Sequence, residues 1–284
     1  MDDMGDFVTD FHLSFEPMTA LGWQVATVDW RSAVDWNAFD AVYICTPWDY
    51  PEYLSQFLRV LTTIDESRAV LLNELSLVRW TLDKRYIRDI ENRGHDIVPS
   101  TWHDDFAKLD LDDSFDRHRS DRLVIKPVIG ANAKDTFVLR RPVAREMQDS
   151  LGQLYAGRAF LLQPYIESIE TVGEYSLFFF NGVYSHAIRK VPKPGDFRVQ
   201  EEHGADILPV KPDQALLQTA TRLFASIDPV PTYGRGDWVR DDEGRYRLME
   251  LELVEPSLYL RTDRGAAARF ARAFDQRFEV LAGV

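Results

Sequence analysis

Two glutamates lie within an apolar stretch near the C-terminal end of the chain. The segment Leu248-Met-Glu-Leu-Glu-Leu253 has the composition of a β-strand, in which successive side chains point to opposite faces. Glu250 and Glu252 are therefore predicted on one face, opposite Met249 and Leu251. Paired carboxylates suit Mg²⁺, which is usually held by one or two carboxylates together with substrate phosphates. A half-exposed strand with a solvated acidic face would show the same pattern, so this segment alone leaves both interpretations open.

The composition indicates an ordinary globular protein. The chain has 284 residues, 45% hydrophobic and 28% charged, and this length allows two or three subdomains around one site. Its formal net charge of −13 argues against nucleic acid or an anionic membrane as the partner, since both are bound through clustered lysines and arginines. The apolar run 175–180 is too short to span a bilayer.

The first residues, Met1-Asp-Asp-Met-Gly-Asp6, are acidic, whereas a secretory signal begins with basic residues. We therefore expect a cytoplasmic protein. The single cysteine, Cys45, rules out an intrachain disulfide and a cysteine-rich metal site.

Alternating strand and helix patterns in the first part of the chain predict a small parallel α/β layer. Its strands are predicted at residues 23–30, 40–46 and 69–72, and its helix at 51–66. A helix follows at 83–93, and a second group of strands is predicted at 123–127, 136–139 and 160–164, with a helix at 143–155. Asn181-Gly182 predicts a hairpin turn between strands 174–180 and 183–190. The last third is predicted as a helix at 213–227, paired strands at 236–240 and 246–253, and a helix at 264–278.

Lys126 ends an apolar strand, where a lysine needs a counter-charge, solvent or a ligand. The small residues Gly130-Ala-Asn-Ala133 that follow would let backbone N–H groups approach a phosphate, although this is not a Walker sequence. A lysine that simply reaches water from the strand end is the alternative interpretation.

Positive charge concentrates in residues 185–198 of this acidic chain. The segment contains Arg189, Lys190, Lys193 and Arg198. Such a cluster could hold a triphosphate or a carboxylate, and Arg198 suits bidentate carboxylate binding best. An ordinary solvated loop is the alternative.

These segments occur in the order typical of one family. The ordered set is Asn73-Glu-Leu, Asp83-Lys84, Val124-Ile-Lys126-Pro, Gln163-Pro-Tyr-Ile166, Gly173-Glu174, Ala187-Ile-Arg-Lys190, Gly195-Asp-Phe-Arg198, Gly236-Asp237 and Glu250-Leu-Glu252. Together they resemble the ATP-grasp superfamily of ligases, closest to its glutathione-synthetase-like branch, over most of the chain. The resemblance implies an α/β fold with an N-terminal domain at 1–75, a lid subdomain at 76–165 and a C-terminal subdomain with the metal site at 166–284.

The resemblance also implies roles for individual residues. The implied ATP-binding residues are Lys84, Lys126, Gln163, Tyr165, Ile166 and Glu174, with Glu167 and Glu170 competing with Glu174 for the ribose. The implied catalytic residues are Lys190, near the terminal phosphates, and Arg198, near the substrate carboxylate. The implied metal ligands, for two Mg²⁺ ions with Mn²⁺ as an alternative, are Asp237, Glu250 and Glu252. Many relatives have asparagine at the last position. The resemblance assigns no individual roles to Arg235, Glu255, Ser257 and Tyr259, which flank the metal strand around the acceptor pocket.

The implied reaction is an ATP-dependent, ADP-forming ligation. A carboxylate of a small amino-acid-like substrate is activated as an acyl phosphate, and an amine then attacks it. The run from Glu250 to Leu260 looks especially like the O-ureido-D-serine cyclo-ligase subgroup, in which one substrate supplies both groups. Two alternatives stay open: an ATP-binding regulatory or degenerate module, and an enzyme that phosphorylates an alcohol or stops at the acyl phosphate.

Two further expectations concern assembly and the start of the chain. Superfamily members are often dimers or tetramers, so the resemblance is compatible with a homo-oligomer. Relatives begin with a short strand, whereas residues 1–6 resemble the loop that follows such a strand. We therefore expect the first strand to be missing from this chain.

Overall fold

The computed structural model describes residues 8–283 of the chain. Within that range the strands are β1 (Ala41–Tyr43), β2 (Val70–Leu72), β3 (Thr101–His103), β4 (Arg122–Pro127), β5 (Phe137–Arg140), β6 (Phe160–Pro164), β7 (Glu174–Phe180), β8 (Val183–Val191), β9 (Asp206–Pro209), β10 (Tyr233–Arg240) and β11 (Tyr246–Glu252). The α-helices are α1 (Phe15–Ala20), α2 (Leu54–Asp65), α3 (Leu75–Thr81), α4 (Tyr86–Asn92), α5 (Leu111–His118), α6 (Arg145–Leu154), α7 (Ser168–Thr171), α8 (Gln214–Ala225) and α9 (Ala266–Ala282).

The N-terminal layer is built on a two-stranded parallel sheet. β1 and β2 pair with Ala41 opposite Val70, as the alternating pattern predicted. The apolar residues Phe57 and Leu61 of α2 recur at helical spacing and pack on this sheet together with α3. On the other side Tyr43 meets Phe270 of α9, with ring centroids 5.5 Å apart. The last helix of the chain therefore closes the first layer.

The predicted strand at residues 23–30 is wrong, because this segment has no regular secondary structure. Trp23 instead lies edge-on against α9, with its ring 5.1 Å from Phe274 and 4.9 Å from Phe278. Its indole N–H donates to Asp275 at 2.9 Å. Packing against α9 partly buries the Trp23 ring but gives the backbone of residues 23–30 no neighbouring strand to pair with. The expected absence of a first strand concerns residues that lie outside the described range.

The second layer is a five-stranded antiparallel sheet in the order β11-β10-β7-β8-β9. One face forms the main core with α4 and α8, where Phe179 stacks on Phe224 at 4.0 Å. The opposite face is apolar at one end, where Phe178 and Tyr233 pack near α9, and polar at the other. The polar end forms part of a cavity.

The third layer is a four-stranded antiparallel sheet in the order β3-β6-β4-β5. One face is covered by α5 and α6 through Phe115 and Leu151. We refer to this sheet and its helices as the lid. α4, which the sequence grouped with the lid, packs in the core of the five-stranded sheet. The proposed three-domain division stays a prediction.

Local turn chemistry predicted the hairpin between β7 and β8 correctly. Asn181 and Gly182 connect the strands, both have positive φ values of 49° and 75°, and Phe180 pairs with Val183. The α/β fold class is also confirmed. Helices α1, α3 and α7 and strand β9 were not predicted from the sequence.

The strand β11 contains a β-bulge at Met249. Asp237 of β10 pairs with Glu250, but the next residue, Trp238, pairs with Leu248, so Met249 has no partner across the ladder. Met249 packs in a small separate cluster with Val98, Ile169, Val199 and Val239. The prediction that Met249 shares a core face with Leu251 is wrong for this reason. Among residues 8–283, no helix combines the length and the hydropathy needed to cross a membrane.

Candidate active site

A cavity lies between the lid and the polar face of the five-stranded sheet. The residues to which the resemblance assigned ATP-binding, catalytic or metal roles all line it: Lys84, Lys126, Gln163, Tyr165, Ile166, Glu174, Lys190, Arg198, Asp237, Glu250 and Glu252. Residues that lie far apart in the sequence are thus brought together. Their individual roles stay predictions.

The floor of the cavity is a network of buried charges on β7, β8 and β10. The Lys190 ammonium lies 2.9 Å from Glu174 and 3.6 Å from Asp237. Arg235 binds Asp237 with both its Nε and Nη2 atoms, and the Ser176 hydroxyl donates to the same carboxylate at 2.5 Å. Burial opposes the charge of Asp237, but Arg235 and Lys190 hold the pKa of this carboxyl below its usual value. Asp237 is therefore ionised and held in place.

Gly173 allows this network to form. It has φ +96°, and a Cβ atom there would lie 2.4 Å from the backbone oxygen of Lys190. Only glycine lets the start of β7 approach β8 so closely. The close approach places Glu174 directly opposite Lys190 in the ladder.

Lys84 connects the floor to the lid. It precedes α4, and its ammonium lies 3.0 Å from Glu250 and donates to the backbone oxygen of Gly130 at 2.9 Å. Its own backbone N–H donates to Val128 at 2.8 Å. Burial opposes the charge of Lys84, yet Glu250 raises the pKa of its ammonium above the usual value. One lysine thereby contacts both the predicted metal strand and the small-residue loop.

Lys126 has no such partner. It ends β4, it is only 9% exposed, and no acceptor or carboxylate among residues 8–283 contacts its ammonium. Burial lowers the pKa of Lys126, and the charge of Lys84 acts in the same direction. A buried cation that faces a cavity without a counter-ion is suited to an anionic ligand such as a phosphate.

The segment after β6 forms the apolar end of the cavity. Ile166 packs beside the Met249 cluster. The Tyr165 hydroxyl donates to Glu170 at 2.5 Å, and the Arg122 guanidinium stacks 3.7 Å from the Tyr165 ring centroid. Gln163 is buried and donates to the Ser100 hydroxyl at 2.9 Å. This end offers an apolar slot beside an extended backbone.

Arg122 also binds the two carboxylates that were alternatives to Glu174 as the predicted ribose ligand. Glu167 and Glu170 bind the Arg122 guanidinium at 2.6 and 3.0 Å, and neither lines the cavity. Glu174 alone of these three carboxylates lines it.

Of the basic cluster in residues 185–198, Lys190 and Arg198 line the cavity, whereas Arg189 and Lys193 do not. The Arg198 side chain is 41% exposed and binds Asp196 at 2.8 Å. It lies in the segment that follows β8, beside the cavity floor.

The predicted metal ligands are paired with cations. Glu250 contacts Lys84, and Glu252 and Asp237 both contact Arg235. Within the described residues, no three His, Cys, Asp or Glu side chains are grouped as in a metal site. The role of these carboxylates as metal ligands stays a prediction.

Sequence reasoning missed the contribution of the N-terminal layer. Trp48 and Tyr50 follow β1 and line the cavity. Ligands of α/β proteins commonly bind beyond the carboxyl ends of parallel strands, and this rule could have pointed to them.

Comparisons with known proteins identify the family. The family model for the N-terminal domain of D-cycloserine synthetase DcsG matches residues 1–73. The cycloserine biosynthesis protein DcsG of Streptomyces lavendulae is 33% identical over 281 residues, which span 93% of this chain and 92% of that protein. The chain belongs to the DcsG family. The crystal structure of D-cycloserine synthetase DcsG has a TM-score of 0.84 to this fold, at 32% identity over 94% of each chain.

More distant ATP-grasp proteins share the fold of the DcsG family. The ATP-grasp ligase PsnB, solved with its minimal precursor, Mg and ADP, has a TM-score of 0.63 at 15% identity over 94% of each chain. An ATP-grasp RimK domain protein from Sphaerobacter thermophilus has a TM-score of 0.66 at 12% identity, over 95% of this chain and 97% of that one. The predicted ATP-grasp fold and the predicted enzyme class, an ATP-dependent ligase, are confirmed.

Proposed function

We propose that the protein activates the carboxylate of a small amino acid as an acyl phosphate and closes a ring by attack of a nitrogen atom in the same molecule. The observation that carries the proposal is the buried ammonium of Lys126, which has no partner within residues 8–283 and faces a floor of carboxylates across one cavity. Such an arrangement suits a phosphate-bearing ligand together with a divalent cation. The name of the relative, D-cycloserine synthetase, supports ring closure as the outcome.

The residues of the cavity fit Mg-ATP. Lys126 and Lys84 would bind the phosphates, and the apolar slot between Ile166 and Met249 would hold the base. The carboxylates of Glu250, Glu252 and Asp237 offer the hard oxygen donors that Mg²⁺ prefers, with Mn²⁺ as an alternative. Bound Mg²⁺ would supply neutralisation of phosphate charge. The cations now paired with these carboxylates would then be free to contact phosphate oxygens.

The reaction divides into two transfers. A substrate carboxylate oxygen attacks the γ-phosphorus and ADP leaves, and Lys190 and Arg198 would neutralise the developing charge. The internal nitrogen then attacks the acyl carbon, the C–O bond to phosphate breaks, and the nitrogen loses a proton. The protein contributes orientation and charge stabilisation in both transfers.

The substrate is a small amino acid, and no nucleic acid or membrane takes part. Dependence on ATP and the free thiol of Cys45 favour the cytoplasm. Sedimentation velocity would test whether the protein forms a homo-oligomer, with which the resemblance to the superfamily is compatible.

A product assay tests the proposal. Purified protein is incubated with Mg-ATP and either O-ureido-D-serine or O-amino-D-serine, and ADP, phosphate and organic products are measured. We expect ADP and phosphate in equal amounts, together with a ring product identified by mass spectrometry. O-amino-D-serine gives D-cycloserine directly, whereas O-ureido-D-serine gives it only when water also removes the carbamoyl group as carbon dioxide and ammonia, so ammonia is measured as well. Hydroxylamine is added in a parallel reaction, because it traps acyl phosphates. A trapped hydroxamate without ring product would indicate an enzyme that stops at the acyl phosphate, and a phosphorylated alcohol would contradict the ligase reaction.

A further inference from the structure

Within the described residues, Glu255 is the one buried carboxylate lining the cavity that has no positively charged partner. It follows β11, it is 7% exposed, and it lines the cavity. Among residues 8–283 no lysine, arginine or histidine lies within salt-bridge distance of it. The other floor carboxylates each have a cation: Glu174 and Asp237 with Lys190, Asp237 and Glu252 with Arg235, and Glu250 with Lys84.

Ionising the Glu255 carboxylate at this buried position is unfavourable when no cation lies beside it. Burial raises the pKa of Glu255 to about 8, and the neighbouring charge of Glu252 adds to the effect. Ionised carboxylates are retained in protein interiors when a cation or several hydrogen-bond donors compensate them. A positively charged ligand group would supply that compensation.

The surroundings of Glu255 favour an organic cation over a metal ion. The Trp48 indole N–H donates to the backbone oxygen of Glu255 at 3.3 Å. Tyr50 is 4% exposed, stacks on Phe57 at 4.9 Å, and places its hydroxyl beside the Glu255 carboxylate. Aromatic rings next to a carboxylate suit an ammonium group, which interacts with both, whereas Mg²⁺ keeps several of its water ligands.

We propose that Glu255, with Trp48 and Tyr50 beside it, binds the ammonium group of a zwitterionic amino-acid substrate and selects amino acids over carboxylic acids that lack the amine. This rests on the proposed function and names its substrate class. In a ring closure the α-ammonium group keeps all its bonds, so Glu255 orients the substrate without exchanging atoms with it. The nucleophilic nitrogen is then left to face the activated carboxyl group.

Equilibrium binding tests the assignment with two matched ligands. D-serine and 3-hydroxypropanoate differ by the amine alone, and calorimetry measures their affinities in the presence of Mg²⁺ and a non-hydrolysable ATP analogue. We expect the wild type to bind D-serine about tenfold or more tightly than 3-hydroxypropanoate, as for a charge-assisted hydrogen bond. Glu255→Gln should bind both ligands equally and keep its affinity for the nucleotide. Glu255→Asp should keep part of the preference.

Several results would overturn the assignment. The first is a wild type that shows no preference for D-serine, and the second is a Glu255→Gln variant that keeps the preference. The third is a Glu255→Gln variant that loses affinity for both the nucleotide and the metal ion, which would place Glu255 in the metal site. Glu243→Gln, an exposed change in the turn after β10, is the matched control, and melting temperatures report folding. A wild type that prefers D-serine but makes no ring product would refute the ring closure and leave the role of Glu255 standing.

Discussion

The ammonium of Lys84 lies 3.0 Å from the carboxylate of Glu250, so a predicted phosphate ligand is paired with a predicted metal ligand. Two further ion pairs lie in the same cavity: Lys190 pairs with Glu174, the predicted ribose ligand, and Arg235, which has no predicted role, pairs with the predicted metal ligand Glu252. The cavity therefore neutralises much of its own charge. Binding of a triphosphate together with a divalent cation would exchange these pairs for new ones, with little change in total charge. Either ligand alone would leave one partner of each pair buried without compensation.

Glu250→Gln tests this coupling. The variant keeps the shape of the side chain but removes the charge that a metal ion requires. We expect ADP formation to fall about 100-fold or more, because charge stabilisation in the transition state is lost. ATP should still bind, since Lys84 is released from its ion pair. A coupled ADP assay and calorimetry measure the two effects. Glu243→Gln is the control, and turnover at the wild-type rate in Glu250→Gln would contradict the metal assignment.

Lys126→Met separates stability from function. Methionine fills the space of the lysine stem and removes a buried charge that has no counter-ion in the described part of the chain. We expect a melting temperature higher by about 2 to 4 °C, because roughly 1 kcal/mol of desolvation cost is removed. We also expect ADP formation to be lost. Differential scanning calorimetry and the ADP assay measure these outcomes.

The control for this prediction is Lys108→Met. The Lys108 side chain is 84% exposed on the lid, so the change should alter neither quantity. A Lys126→Met variant that melts lower, or that retains ATP turnover, would show that the lysine serves the fold and not the phosphates.

Arg122→Met tests the support of the nucleotide slot. The guanidinium stacks on Tyr165 and binds Glu167 and Glu170, so it fixes the segment between the lid and the five-stranded sheet. We expect KM for ATP to rise about 3- to 10-fold with little change in kcat, as for the loss of a stacked cation. Steady-state kinetics at saturating substrate measure both constants. Arg141→Met, which removes two exposed ion pairs elsewhere on the lid, should leave them unchanged. A fall in kcat alone would argue for a role in the chemistry.

The sequence predicted the parts of the site that depend on local pattern. Alternation along β11 placed Glu250 and Glu252 on one face, and both line the cavity. The position of Lys126 at a strand end marked it as a candidate for the site, with a solvated lysine as the alternative, and it also lines the cavity. The bulge at Met249 was invisible because it depends on the register with β10. The contribution of Trp48 and Tyr50 was missed because it depends on how the N-terminal layer docks on the cavity. Trp23 gave a false strand for a related reason, since its apolar side chain is buried by α9 and not by a sheet.

His186 provides a pH-dependent test of stability away from the cavity. It is 4% exposed and stacks on Phe178 at 4.3 Å. Its Nε2 atom donates to the backbone oxygen of Leu258 at 3.0 Å, so Nδ1 is left to accept from the Ser185 hydroxyl at 2.9 Å. That hydroxyl itself accepts from Arg269. The network holds a neutral imidazole.

Burial, together with the charge of Arg269, lowers the pKa of His186 to about 4. In the unfolded chain this histidine has an ordinary pKa of about 6.5, so as the pH falls it binds a proton before the folded chain does. The contribution of His186 to stability is therefore complete above about pH 6.5 and is lost as the pH falls to about 4, by roughly 3 kcal/mol. Urea unfolding at several pH values should show a smaller acid loss in His186→Gln than in the wild type. His12→Gln, an exposed change, should follow the wild type, and parallel curves for all three proteins would contradict the buried neutral imidazole.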